Sequence, residues 1–191
     1  MSTRHGLVFV ISGPSGVGKD ALIEKLVALD PKLERSVSFT TRRARPSERD
    51  GVDYSFVSRE EFERLVAGGE MLEHATYDGN LYGTSARRVE ALRSAGHDVI
   101  LKIDVKGAEQ VRRRLPEATF VFLAPPSMQE LIRRTALRQT ESAEERSARQ
   151  MIAETELTFA SHYDHVVVND ELDRAVAEVL AIIHGVRERQ T

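Results

Sequence analysis

Short apolar runs alternate with helical spacings over most of this chain. Leu7-Val8-Phe9-Val10-Ile11 is continuously apolar, the pattern of a parallel strand buried on both faces. A glycine-rich turn follows. Ala21, Leu22, Leu26 and Leu29 then recur at helical spacing until Pro31 stops the helix. Val99 to Ile103, Phe120 to Leu123 and His165 to Val168 read as further strands of the buried type. Helical patterns separate them over Lys106–Leu115, Met128–Leu137, Glu144–Phe159 and Leu172–Val186. Ser127-Met128-Gln129-Glu130 reads as a capping box, a Ser cap with Glu three residues on. The alternation predicts an α/β fold, a parallel sheet core flanked by helices on both faces.

From about Val37 to Tyr82 the pattern changes. Tyr54-Ser55-Phe56-Val57 and Met71 to Tyr77 alternate with period two, and Asp78-Gly79-Asn80 reads as a hairpin turn. Ser58-Arg59-Glu60-Glu61 opens one helix. We expect a small mixed α/β lobe inserted in the main fold. A second insertion, Arg138 to Glu145, is polar and charged and reads as a mobile lid. The expected organisation is one domain over 1–191: a core of 1–36 and 86–191, a lobe of about 37–85, and a helical lid of about 138–149.

Composition narrows the chemistry. The chain of 191 residues is long enough for a sizeable single core. A net charge of −3 speaks against a nucleic-acid binder driven by bulk positive charge. The absence of Cys removes disulfides, Cys metal sites and Cys nucleophiles. The six His show no metal-ligand spacing, and no Ser/His/Asp hydrolase arrangement stands out. Leu7 to Ile11 is too short for a signal-peptide core or a membrane span, so the cytoplasm is the expected location, with no membrane partner.

The turn after the first strand is Gly13-Pro14-Ser15-Gly16-Val17-Gly18-Lys19. Between a buried strand and a helix, this is the arrangement of a P-loop. Glycines let backbone N–H groups turn inward around phosphate oxygens, and the helix N-terminus and Lys19 add positive charge. The residue after the lysine is usually Ser or Thr, whose hydroxyl ligates Mg²⁺; here it is Asp20. Its carboxylate could ligate Mg²⁺ directly or through water, or could serve only the helix N-terminus. Downstream, Ser38-Phe39-Thr40-Thr41-Arg42-Arg43-Ala44-Arg45-Pro46 is dense in hydroxyls and guanidiniums, and arginine forks suit phosphate oxygens.

With these stretches the chain resembles the guanylate kinases, from about Leu7 to Glu188. The resemblance is carried in order by Gly13–Lys19, Ser36–Pro46, Gly51-Val52-Asp53-Tyr54, Leu72-Glu73-His74-Ala75 and Gly79-Asn80-Leu81-Tyr82-Gly83-Thr84-Ser85. It continues through Ile103-Asp104, Ala124-Pro125-Pro126-Ser127, Thr140-Glu141 and Val168-Asn169-Asp170. It implies a P-loop NTPase fold with an ATP site in the core, an inserted GMP-binding lobe and a closing lid. It implies Mg²⁺-dependent transfer from ATP to GMP, with dGMP as a further acceptor.

Carried across position by position, Arg42, Arg45, Tyr54 and Tyr82 look like the clamp on the GMP phosphate, and Ser38, Glu73 and Thr84 like the guanine readers. A carboxylate such as Glu73 can accept from guanine N1–H and NH₂ together, a donor pair that adenine lacks. Asp104 matches the family's acid near the metal, through water, and the phosphates. The family often has a second Asp two residues earlier, where this chain has Lys102; that cation could neutralise phosphate charge or point away. Arg134, Arg138 and Arg149 match arginines flanking the lid, with Arg138 and Arg149 expected to act in catalysis beside Lys19 and Asp104 and Arg134 to bind ATP. Asn169 matches a residue near the adenine. Two other readings stay open: a related kinase of ribose 1,5-bisphosphate, which also carries the Lys-Asp pair, and an inactive guanylate-kinase-like module that binds proteins. The Arg42–Tyr54 and Glu73 pattern speaks against the first, and the intact Gly13–Lys19 loop against the second.

Overall fold

Val8–Ser12 (β1) is buried along its whole length, as its unbroken apolar run requires. The computed structural model describes residues 4–77, 79–136 and 143–190, with backbone alone over 135–136 and 143–149. After β1 come Lys19–Leu29 (α1), Leu33–Arg35 (β2), Phe39–Thr40 (β3), Ser55–Phe56 (β4), Arg59–Ala67 (α2), Met71–Tyr77 (β5), Asn80–Ser85 (β6) and Ala86–Ser94 (α3). Asp98–Lys102 (β7), Val105–Arg114 (α4), Thr119–Ala124 (β8), Met128–Ala136 (α5) and Ala143–Thr158 (α6) follow. A 3₁₀ turn, Phe159–His162, leads to His165–Val168 (β9) and Leu172–Glu188 (α7). No helix among the described residues is long and apolar enough to cross a membrane.

Strands form two sheets, one parallel with the order β2-β7-β1-β8-β9 and one mixed with the order β4-β3-β6-β5. This is the expected α/β architecture, a parallel sheet flanked by helices together with a separate mixed sheet. The chain divides into two compact units, Met1–Val8 with Lys32–Ala118, and Phe9–Pro31 with Thr119–Thr191.

In the second unit, β1 pairs with β8, Phe9 opposite Thr119, and β8 pairs with β9, Val121 opposite His165. Helices α1 and α7 pack on each other, and α7 also meets β9. Because β9 is an edge strand, only Val167 of its valines is buried, while Val166 and Val168 are 47% and 39% exposed. The sequence pattern suggested a fully buried strand here; a sheet edge leaves one side uncovered. At α5, the Glu130 N–H donates to the Ser127 hydroxyl at 3.1 Å, one half of the expected box. The Glu130 carboxylate turns instead to Arg133 and Arg134, which pull it down to about 2.

In the first unit, the mixed sheet has its own small core of Phe62, Leu65 and Met71, with Phe39, Val57, Val66 and Leu81 around it. Ser58 caps α2 by accepting from the Glu61 N–H at 3.1 Å. Helix α4 lies on β5, and α3 touches both β5 and β7. The sequence pattern did not predict α3. Of its nine residues only Val89 and Arg93 are buried, so its apolar stripe is too thin to register. β7 starts at Asp98, a fully buried carboxylate that accepts from the Leu7 N–H at 2.7 Å and from the Arg4 guanidinium. Asp98→Ala would strand that N–H and should cost about 2–4 kcal/mol of stability in urea unfolding, whereas Asp98→Asn, which keeps an acceptor, should cost clearly less.

Candidate active site

The phosphate loop lies within the second unit. Its first residue, Gly13, has φ 145°, and a Cβ there would stand 2.1 Å from the Leu123 carbonyl oxygen of β8. The loop therefore leaves β1 pressed against its neighbouring strand, which only glycine allows. Gly18, at φ 101°, is the residue before α1, and a Cβ there would meet the Asn169 amide nitrogen at 2.5 Å. That amide nitrogen donates to the Val17 carbonyl at 2.8 Å. Asn169, expected near the adenine, is thus buried and bound to the loop itself. Lys19 begins α1, and its ammonium donates to the carbonyls of Gly13 and, at 3.0 Å, Pro14. Asp20 is exposed in the first turn, where the helix dipole favours a carboxylate. The Arg134 guanidinium donates to the backbone carbonyls of Asn169 at 3.0 Å and Asp170 at 3.4 Å, and to Glu130.

In the first unit the predicted clamp residues converge. β3 and β6 pair antiparallel with Thr40 opposite Tyr82, which brings the chain after β3 beside Tyr82. The Arg42 N–H donates to the Thr40 hydroxyl at 3.1 Å, and Thr41 receives the Leu81 N–H at 2.9 Å. The Arg42 guanidinium lies 5.5 Å from the Tyr54 ring centre, and the Tyr54 and Tyr82 rings meet edge-on at 6.0 Å. Arg42 is held by a two-pronged pair with Glu48, at 2.7 and 3.0 Å. That bond raises the Arg42 pKa and lowers that of Glu48, outweighing the opposing effect of burial on each. Glu48 also accepts from the Arg45 N–H at 2.8 Å, so one carboxylate orders both arginines. The Arg45 side chain itself is 60% exposed. Lys102, at the end of β7, puts its ammonium 5.0 Å from the Tyr54 ring centre.

The other half of this unit's site is a buried carboxylate. β5 pairs with β6, Glu73 opposite Thr84, after a register shift between Met71 and Glu73. Residues two apart in a regular strand point the same way. Beyond the irregularity Glu73 instead faces α4, while Met71 stays in the Phe62 core. The Thr84 hydroxyl donates to Glu73 Oε1 at 2.6 Å. On the other oxygen a Cβ at Gly107 would lie 2.5 Å from Oε2, so the start of α4 is notched to admit it. Asp104 caps α4 by accepting from the Gly107 N–H at 2.7 Å. Glu73 is 3% exposed, and its pKa is pushed up to about 7, chiefly by burial. The negative charge of Asp104 adds to the rise, and the Thr84 bond opposes it. Ser38 is buried in the same unit, its carbonyl taking the Ser55 N–H at 2.8 Å.

The structure thus brings Gly13–Lys19, Asp20, Arg134 and Asn169 together in one unit, and Ser38, Arg42, Arg45, Tyr54, Glu73, Tyr82, Thr84 and Asp104 together in the other. Arg138 lies outside the described residues, and Arg149 is described in its backbone alone, within α6. Sequence reasoning missed Glu48, Gly107 and the loop-holding bond of Asn169. A Glu among the charges of Ser47-Glu48-Arg49-Asp50 carries no signal by itself.

The glycine loop between a buried strand and a helix, on a parallel sheet, defines a P-loop α/β protein. Comparison with known proteins is more specific. Residues 6–185 match the family model described as guanylate kinase. A guanylate kinase of Desulfitobacterium hafniense is 47% identical over 183 residues, covering 96% of this chain and 92% of that protein. One of Symbiobacterium thermophilum is 49% identical over 184 residues, covering 96% and 87%. The crystal structure of guanylate kinase from Anaplasma phagocytophilum superposes with a TM-score of 0.78 at 34% identity, over 95% of this chain and 86% of that one. The chain belongs to the guanylate kinase family.

The buried acid has a measurable signature. Its folded pKa lies above its unfolded value, so the native state binds the proton more tightly. Glu73 therefore costs nothing below about pH 4.5, and its cost grows as pH rises to about 7, to the order of 3 kcal/mol. In urea unfolding between pH 5 and 8, Glu73→Gln should gain stability relative to the wild type as pH rises and level off above about 7. A difference independent of pH would contradict the burial argument.

Proposed function

We propose that the chain transfers the γ-phosphoryl group of Mg²⁺-bound ATP to the phosphate of GMP, reversibly, giving ADP and GDP, and that dGMP serves as a further acceptor. The observation that carries this reading is the buried Glu73 carboxylate, seated by Thr84 beside the Arg42–Tyr54–Tyr82 cluster. That pairing offers an acceptor for guanine N1–H and NH₂ next to a clamp for a phosphate. Family membership supports it independently.

An oxygen of the GMP phosphate attacks the γ-phosphorus, the bond from that phosphorus to the β–γ bridging oxygen breaks, and ADP leaves with the bond's electrons. The acceptor oxygen is already anionic, so no base has to remove a proton. The residues supply position and charge. Lys19 turns from the Gly13 and Pro14 carbonyls to the β- and γ-phosphates, while loop N–H groups hold their oxygens. Asn169 keeps the loop in shape through Val17, and Arg134 holds the adjacent backbone beside the ATP site. Arg138 and Arg149 are assigned to the charge on the phosphoryl group in transit.

Asp20 and Asp104 offer carboxylate oxygens, hard donors that suit Mg²⁺, and no cluster of three or more His, Asp or Glu marks a protein-built cage among the described residues. An ion carried mainly by nucleotide phosphates and water would suit either acid, Asp20 directly or through water and Asp104 through water. When bound, Mg²⁺ neutralises charge on the phosphates. In this reading residues of about 37–85 form the GMP lobe; of the lid expected at about 138–149, residues 138–142 lie outside the described residues. The proposed setting is the cytoplasm, where both nucleotides are found.

ADP release in a coupled assay, with GMP, AMP and ribose 1,5-bisphosphate offered separately, tests the acceptor; GMP should be strongly preferred. Lys19→Ala should lose at least about 10²-fold in turnover with its fold retained, and near wild-type turnover in that variant would refute the loop assignment. Asp20→Ala should raise the Mg²⁺ concentration needed for half-maximal rate, and Asp20→Ser should restore much of it. An Asp20 that serves only the helix start would instead change stability by roughly 0.3–1 kcal/mol and leave the Mg²⁺ dependence unaltered.

A further inference from the structure

We propose that Gln110 of α4 is a positioning residue for the recognition of guanine: it clasps the backbone of His74 and so sets the direction of the neighbouring Glu73 carboxylate. The inference rests on the reading of Glu73 as the acceptor for the guanine donors and concerns what holds that acceptor in place.

The need for such a clasp comes from β5. Met71 stands opposite Ser85 and Glu73 opposite Thr84, so two steps along β5 match one along β6. Side chains change face with each residue of a strand, and a slip of one position would turn Glu73 away from α4. β5 is also the last strand in the order of its sheet, paired with β6 on one side. The strand with the irregular register is therefore the one that its sheet holds by a single edge.

Helix α4 supplies the other edge. Gln110 accepts from the His74 N–H at 3.2 Å and donates to the His74 carbonyl at 2.7 Å. Those are the two bonds that an opposing strand residue would exchange with His74, made here by one side-chain amide. On the far side of the irregularity Arg114 donates to the Met71 carbonyl at 2.5 Å. Gly107, Gln110 and Arg114 follow one another at helical spacing on one face of α4. That face meets the β5 backbone at Met71 and at His74, and between them it leaves room, at Gly107, for the Glu73 carboxylate. Gln110 holds the residue next to Glu73 and makes two bonds to it. The Gln110 amide is half-buried, and its nitrogen also lies 3.5 Å from the Lys106 carbonyl of its own helix.

The chemistry gives the clasp its weight. One carboxylate serves guanine N1–H and NH₂ together only when both oxygens line up with the two donors, because hydrogen bonds weaken steeply off axis. Thr84 fixes Oε1, and Gly107 makes space for Oε2. Both depend on where the β5 backbone stands beside α4. With the clasp lost, the His74 N–H and carbonyl turn to water, and the carboxylate shifts with the backbone it hangs from.

The test is a double-mutant cycle. Calorimetric binding of GMP and of an ATP analogue is measured for the wild type, Gln110→Met, Glu73→Gln and the double variant, with melting temperatures as a check on folding. Methionine has the reach of glutamine and offers His74 no partner. Gln110→Met should bind GMP about tenfold more weakly, roughly 1.4 kcal/mol, and the ATP analogue unchanged. In the Glu73→Gln background the same substitution should cost less than about twofold, since a reader already spoiled is not spoiled further by being misplaced. In turnover Gln110→Met should raise KM for GMP without raising KM for ATP. Losses that add in the double variant, or that fall equally on the ATP analogue, would make Gln110 a packing tie and overturn the proposal, as would undiminished GMP affinity in Gln110→Met. Should Gln110→Met fail to fold, Gln110→Ala, which suits a helix and lets water reach His74, is read in the same way. A Glu73→Gln variant that binds GMP as the wild type does would instead defeat the reading of Glu73 on which the proposal rests.

Discussion

A carboxylate taken out of water must be given something in return, and the first unit is arranged around that constraint at Glu73. Thr84 can donate to it only because β5 and β6 pair in the register that sets the two opposite each other. The irregularity after Met71 aims Glu73 at α4 rather than into the Phe62 core. Helix α4 can lie that close only because Gly107 has no side chain, and its first turn is held by Asp104. A hydrogen bond, a strand irregularity, a glycine and a helix cap are separate local features, yet each is needed for one buried acid to be tolerated.

The elements proposed to bind phosphate follow a different rule. The loop at Gly13–Lys19 builds its site from backbone, so the side chains around it serve mainly to hold backbone in place: Asn169 on Val17, Arg134 on Asn169 and Asp170. The Arg42 cluster builds its site from side chains. There the supporting contacts fix guanidiniums and rings, with Glu48 as the shared anchor. Loss of a support should loosen the whole loop in the first case and free a single charge in the second.

Much of this was readable in the sequence, and the limits have physical causes. Leu7–Ile11 announces a strand because both its faces are buried, and the loop announces itself because its backbone demands glycines in fixed positions. The α/β alternation is legible for the same reason: each long element buries a continuous face. Helix α3 is not, since two buried residues make no period, and β2 and β3 are too short to show one. The exposed valines of β9 look buried in sequence because composition cannot say which strand ends a sheet. The candidate residues Arg42, Tyr54, Glu73, Tyr82 and Thr84 could be named from the family pattern. Their supports could not. The bond from Asn169 to Val17 spans 152 positions, and the notch at Gly107 matters only once Glu73 stands against it.

A carboxyl group that titrates near neutrality is two recognition elements in one. Ionised, Glu73 only accepts, and in the proposed reading the adjacent donors of guanine are its complement. Protonated, it carries an O–H that can meet the N1 acceptor of adenine while its other oxygen takes the N6 amine. If Glu73 reads the base as proposed, the choice of base becomes a property of the surroundings as well as of the fold, because burial has brought the proton of its carboxyl into the range where the medium decides who holds it.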